Sequence, residues 1–384
     1  MKILITTDWY KPVINGVVTS VTNLEEGLRG AGHDVRILTL SNDLHSYRKE
    51  NVTFIGSIGV GVIYPNARLR ARLNDPLVQE LIDWKPDVVH SQCEFSTFSF
   101  AKRIAHESGC PLIHTVYEDF THYFSPNVRL GHFLARKFSH YIASQTDAVI
   151  VPTEKIRNML RSYQITQPIR TVPTGLKMGA FLAPLPPEKR TVLRRALGLR
   201  EGDLALTYIG RLAQEKSIGE LLRFLPDTPQ NVRLLLVGDG PYREKLEAQV
   251  RELGIAGRVI FSGMAAPERV ADYYKVGDIF VSASRSETQG LTYIEAMASG
   301  LPLLCREDDC LSGVLLPEVN GFAYTTEAEF LAGLSALSDA QTRRDMGAAA
   351  QSAAYARFSA ESFTRKVLQV YQDCLPRSKE ASAA

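Results

Sequence analysis

Residues 279–300 read IFVSASRSETQGLTYIEAMASG, and this stretch decides the class of fold. An apolar run with the character of a strand passes through a turn into a segment with helical periodicity. The turn is formed by Thr288, Gln289, Gly290 and Leu291. Glu287 precedes the turn and Glu295 lies about one turn inside the helix. We expect backbone N–H groups of the turn to meet a phosphate bridge, and both carboxylates to accept hydrogen bonds from hydroxyl groups. The structural alternatives are a helix-capping Glu287 and a solvated Glu295.

The same alternation of strand and helix continues in both directions along the chain. Strand-like runs before residue 185 are MKILIT, DVRILTL, DVVH, PLIHTV and DAVIVP, and those after it are ALTYIG, RLLLVG, RVIFSG, IFVSAS and LPLLCR. Alternation of this kind predicts an α/β fold with parallel sheets and crossover helices. We therefore expect two Rossmann-like domains, at residues 1–185 and 186–358, with their sheets facing across a cleft. A helix over 359–375 and a disordered tail over 376–384 complete the prediction.

Composition places the chain among soluble globular proteins. Of the 384 residues, 45% are hydrophobic and 22% charged, which is close to average usage. The start, MKILITTDWY, has no signal-peptide pattern, and no apolar run is long enough to cross a bilayer. We expect a cytoplasmic protein, either free or attached to the inner face of the membrane. The five cysteines form no C-x-x-C pair and predict reduced thiols.

Two further strand ends carry candidate ligand-binding residues. GRLAQEK, from Gly210 to Lys216, places Arg211 and Lys216 where both could converge on a diphosphate. A solvated loop is the alternative. LLLVGDGPYREKLE places Gly238 and Gly240 between a strand and a helix, where glycine lets the backbone approach a ligand or simply makes a tight turn. The G-x-G-x-x-G fingerprint is absent from the first strand-turn-helix unit, which disfavours a dehydrogenase.

These motifs, in this order and spacing, resemble those of the family-4 glycosyltransferases of the GT-B fold, in which two acids form an E-x7-E motif. The resemblance covers essentially the whole chain and implies a retaining transferase that needs no metal or other cofactor. It implies that Arg211 and Lys216 clamp the donor diphosphate, that Glu287 contacts the donor sugar and that Glu295 contacts the ribose. The remaining donor-binding positions that it implies are Gly16, Gly210, Gly238, Gly240, Thr288, Gln289, Gly290 and Leu291. Thr288 and Gln289 stand where many members carry Gly-Phe or a similar pair.

The stretch PLIHTVYEDFTHYF places His114 at a strand end in the N-terminal half. It matches the family histidine that contacts the donor sugar, and a histidine satisfied by backbone groups is the alternative. The strings HTVYEDFTHY and SETQGLTYIEA also resemble the bacterial members that glucosylate diacylglycerol. That resemblance implies that Tyr117, Glu118 and Asp119 border an acceptor pocket.

The N-terminal half is also the basic half of the chain. Residues 1–187 hold 20 Lys and Arg against 16 Asp and Glu, whereas the remainder holds 24 against 26. A helical wheel over residues 129–142 places Leu130, Phe133, Leu134, Phe138, Tyr141 and Ile142 on one face and Arg129, His132, Arg136 and His140 on the other. This helix, which also carries Lys137, predicts contact with an anionic phospholipid surface, as does the cluster of Arg68, Arg70 and Arg72. The alternative is a helix that packs on its sheet, and a nucleic-acid partner is disfavoured because no binding motif accompanies the charge.

Together, the resemblance and the charge pattern imply transfer of glucose from UDP-glucose to diacylglycerol at the cytoplasmic membrane surface, with an α linkage. Transfer to a glycosylated lipid or a soluble acceptor, a UDP-sugar epimerase, and a nucleotide-sugar sensor without turnover remain alternatives. The residues alone leave glucose and galactose both open.

Overall fold

The chain forms two compact units, each with its own parallel sheet, in a computed structural model that describes residues 1–13, 15–59, 68–70, 73–117 and 128–375. The first unit contains residues 1–175 and the described C-terminal residues from Ala360 onward, and the second is Leu176–Ser359. The two predicted parallel-sheet α/β domains are confirmed. The sequence places the boundary at residue 185, and the structure already groups Leu176 with the second unit. The predicted disordered tail lies outside the described residues.

The first unit is built around an eight-stranded sheet. Its strands, with a separate short hairpin of β5 and β6, are β1 (Lys2–Thr6), β2 (Asp34–Leu40), β3 (Tyr47–Lys49), β4 (Val52–Ile55), β5 (Ile58–Gly59), β6 (Arg68–Leu69), β7 (Val88–Ser91), β8 (Leu112–Thr115), β9 (Ala148–Val151) and β10 (Ile169–Thr171). The order is β10-β9-β8-β7-β1-β2-β4-β3, and only β3 runs antiparallel to its neighbour. The strand order therefore reverses direction between β1 and β7, which is where open α/β sheets bind ligands.

Helices connect these strands as crossovers. They are α1 (Gly16–Gly30), α2 (Pro76–Asp83), α3 (Ser96–Ser108), α4 (Val128–Ser144) and α5 (Glu154–Ser162). Every residue of β7, β8 and β9 is buried. Central parallel strands are covered on both faces, which explains why they read as continuous apolar runs in the sequence.

The second unit has a six-stranded, fully parallel sheet. Its strands are β11 (Leu204–Ile209), β12 (Val232–Val237), β13 (Val259–Gly263), β14 (Ile279–Ser282), β15 (Leu303–Arg306) and β16 (Gly321–Tyr324). The order β13-β12-β11-β14-β15-β16 is the doubly wound arrangement, and it reverses direction between β11 and β14. Alternate residues of β12 point to opposite faces: Leu234 and Leu236 belong to one hydrophobic core, and Leu235 and Val237 to the other.

Eight helices of the described chain belong to the second unit, and one more returns to the first. Those of the second unit are α6 (Gly179–Leu182), α7 (Pro187–Ala196), α8 (Ile218–Phe224), α9 (Arg243–Glu252), α10 (Val270–Val276), α11 (Leu291–Ala298), α12 (Glu327–Ala336) and α13 (Ala340–Phe358). The last helix, α14 (Ala360–Cys374), is anchored in the first unit because the Tyr371 hydroxyl lies 2.7 Å from His90 Nδ1. Burial lowers the pKa of His90 to about 3, so this contact is made by a neutral ring. Within the described ranges, no helix has the length and hydrophobicity to cross a membrane.

Candidate active site

The reversal of strand order in the second unit brings together two of the sequence motifs. β11 and β14 are parallel neighbours, with Leu206 opposite Ile279. Their carboxyl ends lie at the same edge of the sheet, so the loop 210–216 after β11 lies beside the loop 283–290 after β14. The two stretches that the sequence analysis singled out separately therefore lie together and form one candidate site.

Lys216 is the cation that connects these two loops. Its Nζ lies 2.6 Å from Glu287 Oε1, and the two side chains are 19% and 20% exposed. Arg211 instead forms an ion pair with Glu215 and is 64% exposed. Only Lys216 of the two predicted clamp residues reaches Glu287 here, and the sequence analysis did not single out Glu215 as the partner of Arg211.

Gly238 and Gly240 allow two loops to touch through their backbones. A Cβ atom at Gly238, where φ is +135°, would lie 2.0 Å from the Gly210 carbonyl oxygen. A Cβ atom at Gly240 would lie 2.4 Å from the Leu212 carbonyl oxygen. The Leu212 N–H donates to the Asp239 carbonyl oxygen at 2.9 Å. The Gly-Asp-Gly turn therefore supports the loop that carries Lys216, whether or not it also contacts a ligand.

Gly290 makes the turn into α11. It adopts φ +65°, occupies the N-cap position and leads directly into Leu291. Its α-carbon also lies so close to Tyr293 that an added Cβ atom would meet the ring at 2.3 Å. Glu287 is three residues before the N-cap residue Gly290, so the capping alternative for Glu287 does not hold. Thr288 is partly buried and Gln289 is buried, both within the same turn.

Glu295 lies on the second turn of α11 and is partly buried. Its Oε2 accepts a hydrogen bond of 2.7 Å from the hydroxyl group of Tyr274, a fully buried residue of α10. The solvated alternative for Glu295 is therefore wrong. Sequence analysis missed Tyr274, because no local pattern in VADYYKV connects it with Glu295, which lies 21 residues further on. Burial raises the pKa of Glu295 to about 7, and the Tyr274 hydrogen bond partly opposes this rise.

This raised pKa predicts a pH-dependent stability. The folded unit keeps the Glu295 proton up to about pH 7, whereas the unfolded chain loses it near the ordinary value of 4.5. Stability from this group is therefore complete below pH 4.5 and is lost as the pH rises through 7. Glu295→Gln has no proton to lose, so from pH 5 to pH 8 the wild type should lose about 2 kcal/mol relative to the variant. Urea denaturation of both proteins at the two pH values measures this, and a constant difference would contradict it.

The first unit places its predicted site residues at the corresponding edge of its own sheet. His114 is the third residue of β8 and is fully buried, with Nε2 3.3 Å from Glu94 Oε1. The Tyr117 hydroxyl donates to Gln92 Oε1 at 2.5 Å, and burial raises the Tyr117 pKa. Gly16 is the exposed first residue of α1. Glu118 and Asp119 lie outside the described residues.

The predicted arginine cluster has structural partners. Arg68 donates from Nε to Ser57 Oγ at 2.7 Å, and Arg70 donates from Nη1 to the Gly56 carbonyl oxygen at 2.8 Å. Arg72 lies outside the described residues. Both described arginines therefore hold the β5–β6 hairpin and its neighbours, and their contact with phospholipid stays a prediction.

Helix α4 does not present the two faces that the helical wheel suggests. Part of the basic face contacts neighbouring residues of the first unit: the Arg136 Nη2 donates to Gln164 Oε1 at 2.7 Å, and the His140 Nε2 lies 2.5 Å from the Tyr163 carbonyl oxygen. The buried positions of the helix include Ala135, Ile142 and Ala143. On the exposed side, Leu130, Phe133 and Tyr141 are 50%, 54% and 51% exposed. Arg129 and Lys137 are also exposed, so apolar and basic side chains share this surface.

The described residues contain no group of three or more His, Cys, Asp or Glu side chains arranged to hold a metal ion. At the edge of the second sheet, Lys216, Glu287, Glu295 and the backbone N–H groups at the start of α11 are the groups that could bind an anionic, hydroxyl-bearing ligand.

Two units, each with a doubly wound and largely parallel sheet, define the GT-B class of α/β fold. Solved structures agree. A structure of Anabaena HepE in complex with UDP-glucose has a TM-score of 0.73 at 17% identity, covering 97% of this chain and 100% of that one. Sucrose-phosphate synthase from Thermosynechococcus elongatus has a TM-score of 0.73 at 21% identity, covering 97% and 98%.

Sequence comparison gives the family. Residues 14–178 match the family described as Glycosyltransferase Family 4, and residues 189–353 match Glycosyl transferases group 1. An alpha-monoglucosyldiacylglycerol synthase of Streptococcus pneumoniae is 34% identical over 98% of this chain and 86% of its own length. An enzyme of the same name from Acholeplasma laidlawii is 31% identical, covering 86% of each chain. The chain belongs to glycosyltransferase family 4, a retaining family, and the predicted family is confirmed.

Proposed function

We propose that this transferase moves glucose from UDP-glucose to diacylglycerol at the surface of a membrane and forms an α-linked monoglucosyl lipid. The proposal rests mainly on the ion pair between Lys216 and Glu287, which lies where the strand order of the second unit reverses. Glu295 is nearby, one helical turn into α11. Two relatives that are 34% and 31% identical to this chain bear the name of that activity.

In the proposed donor complex, each group meets a part of the nucleotide sugar that suits its chemistry. Lys216 leaves Glu287 and contacts the diphosphate, while the N–H groups at Gly290 and Leu291 donate to phosphate oxygens. Glu287 accepts hydrogen bonds from sugar hydroxyl groups. The Tyr274 hydroxyl group donates a hydrogen bond of 2.7 Å to one oxygen of Glu295. This bond holds the carboxylate in place for the ribose hydroxyl groups.

The proposed reaction retains the configuration at the anomeric carbon. The acceptor oxygen bonds to that carbon on the face from which the diphosphate leaves, as the bond between the carbon and the phosphate oxygen breaks. The acceptor proton passes to the departing phosphate oxygen, so no protein base is required. Lys216 stabilises the charge that develops on the leaving group, which is a larger effect in a partly buried site than in water.

The exposed surface of α4 supports a lipid acceptor. Lys137 Nζ lies 5.8 Å from the Phe133 ring centre, and Lys102 Nζ of α3 lies 5.7 Å from the Tyr141 ring centre. Exposed aromatic side chains accompanied by ammonium groups match the interface of an anionic membrane, where rings enter the headgroup region and cations attract phosphate. We propose that this surface holds the first unit on the membrane.

The double substitution Phe133→Ser with Lys137→Glu should weaken binding to vesicles that contain anionic phospholipid. Losing one ring that would enter the headgroup region and reversing one charge should lower the partition coefficient about tenfold or more. Sedimentation with the vesicles measures it. The matched control is Val192→Ser with Lys189→Glu on α7, where Val192 is 63% exposed, and it should sediment like the wild type. Equal sedimentation of all three proteins would remove α4 from the membrane contact.

The experiment that tests the function offers UDP-glucose and diacylglycerol in vesicles that contain anionic phospholipid, without added metal. Thin-layer chromatography and mass spectrometry detect the product, and NMR gives its anomeric configuration. A lipid with one α-linked glucose supports the donor, the acceptor and the stereochemistry together. UDP-glucose binding without labelled lipid would overturn the acceptor and move the search to glycosylated lipids and soluble acceptors. A β-linked product would overturn retention.

A further inference from the structure

The first unit has its own cluster of polar side chains at the place where its strand order reverses. Asp8 follows β1, Gln92 and Glu94 follow β7, and His114 lies in β8 directly opposite Ser91 of β7. The strands β1, β7 and β8 are parallel neighbours, so their carboxyl ends lie at the same edge of the sheet. These four side chains therefore start from neighbouring places on that edge. His114 was predicted as a site residue, but nothing in the sequence singled out Glu94.

The contact between Glu94 and His114 determines which ring nitrogen carries the hydrogen. The His114 side chain is 0% exposed and that of Glu94 is 9% exposed, and Nε2 lies 3.3 Å from Oε1. An ionised carboxylate only accepts hydrogen bonds, so the imidazole nitrogen that faces it must donate. A neutral imidazole carries one hydrogen. Its Nδ1 is then a bare acceptor.

That acceptor has no partner within the described part of the chain. His114 Nδ1 is buried without a hydrogen bond there, and Gln92 Nε2 at the end of the neighbouring strand is in the same condition. Gln92 uses its other atom, Oε1, to accept from Tyr117. Buried polar atoms without partners cost free energy, which a ligand with hydroxyl groups would recover. Two of them at one sheet edge point to such a ligand.

The second carboxyl group of this edge is already engaged. Asp8 Oδ1 accepts from the Thr97 N–H at 2.8 Å, at the start of α3. Burial raises the Asp8 pKa to about 6, and the charge of Glu94 adds to the rise. Asp8 therefore serves the helix, and Glu94 is the carboxylate that contacts His114.

We propose that Glu94 is a positioning residue that holds His114 in the Nε2–H tautomer, so that Nδ1 accepts a hydrogen bond from a hydroxyl group of the sugar being transferred. The proposal rests on the proposed function, since it takes that sugar as the partner of His114. Glu94 itself touches neither substrate.

The tautomer can be measured without any substrate. The full chain, labelled with 15N-histidine, contains eight histidines, and the spectrum of His114→Gln assigns the His114 signals. Long-range proton–nitrogen correlation should show a protonated Nε2 and a bare Nδ1 in the wild type. In Glu94→Gln both tautomers should appear, because an amide can donate as well as accept. An Nδ1–H tautomer or a doubly protonated ring in the wild type overturns the proposal.

Kinetics then test whether the tautomer serves the reaction. Glu94→Gln should lower kcat/KM for UDP-glucose about 10- to 100-fold while UDP affinity stays unchanged, as expected for a misdirected hydrogen bond. Glu94→Asp, which keeps the carboxylate, should recover part of the loss. The control Glu107→Gln removes an exposed acid of α3 that pairs with Arg103, and it should match the wild type.

A series of monodeoxy UDP-glucose analogues identifies the sugar hydroxyl. For the wild type, kcat/KM should fall about tenfold or more with the analogue that lacks the hydroxyl partner of His114. For Glu94→Gln, the same analogue should lower kcat/KM little below the value for UDP-glucose. Wild-type rates for Glu94→Gln on UDP-glucose, or equal penalties in both proteins on every analogue, overturn the proposal. If Glu94→Gln fails to fold, the proposal is tested by the histidine spectrum of the wild type and by the kinetics of Glu94→Asp. A wild type that never consumes UDP-glucose overturns the proposed function and the sugar contact, while the spectrum still decides the tautomer.

Discussion

Lys216→Ala should lower the turnover number for sugar transfer about 10²- to 10³-fold, the range observed when one preorganised donor to a developing negative charge is removed. The Lys216 ammonium group contacts the loop before α11, because its Nζ lies 2.6 Å from Glu287. Arg211 is more exposed and already neutralised by Glu215, so it cannot replace the lost charge without breaking another ion pair. Steady-state and single-turnover assays with UDP-glucose measure the change.

Two companion variants make the Lys216 result specific. Lys245→Ala removes an exposed lysine of α9 and should leave turnover unchanged, because that ammonium group lies over the Tyr242 ring and away from the strand-order reversal. Lys216→Arg keeps the positive charge but replaces an ammonium group with a planar guanidinium group. Its turnover should lie between those of Lys216→Ala and the wild type. Turnover of Lys216→Ala within threefold of wild type would remove Lys216 from leaving-group stabilisation and leave it as the structural partner of Glu287.

The fold could be predicted from the sequence because buried parallel strands are locally visible. Runs such as LLLV at the end of β12 are apolar on both faces, and the loops that follow them carry the glycines and charged residues. The joining of Lys216 to Glu287 was harder to foresee. It depends on β14 pairing with β11 rather than with β13, which is a contact between strands some 70 residues apart.

Residues without a local signal were missed for the same reason. Tyr274 contacts Glu295 and Glu94 contacts His114, and neither pair is close in the sequence. Helix α4 shows another limit. Periodicity identifies an apolar face, but it does not say which part of that face meets the sheet. Small residues such as Ala135 pack inward, and Phe133 stays exposed.

Gly238→Ala should destabilise the second unit by about 3 kcal/mol or more, because it combines two separate costs. The new Cβ atom would lie 2.0 Å from the Gly210 carbonyl oxygen, so the backbone of one loop must move. The conformation at φ +135° is also unfavourable for any residue with a side chain. Urea denaturation, followed by far-ultraviolet circular dichroism, measures the change.

Two other glycines separate these costs. Gly257 has open space around its α-carbon and no positive φ, so Gly257→Ala should change the free energy of unfolding by less than about 0.5 kcal/mol. Gly198 has open space but φ +81°, so Gly198→Ala should cost about 1 kcal/mol from the backbone alone. The excess at Gly238 is then the cost of pushing the loop 210–216 aside.

The same variant decides between the two functions that the sequence allows for the Gly-Asp-Gly turn. If Gly238 only supports the neighbouring loop, its replacement lowers stability, and the loss of UDP affinity follows from displacement of Lys216. Gly238→Ala with wild-type stability but no UDP binding would mean instead that the glycine makes room for the nucleotide. Unfolding measured with and without UDP distinguishes these outcomes, since a ligand that binds the folded state raises stability with the logarithm of the ratio of its concentration to its Kd.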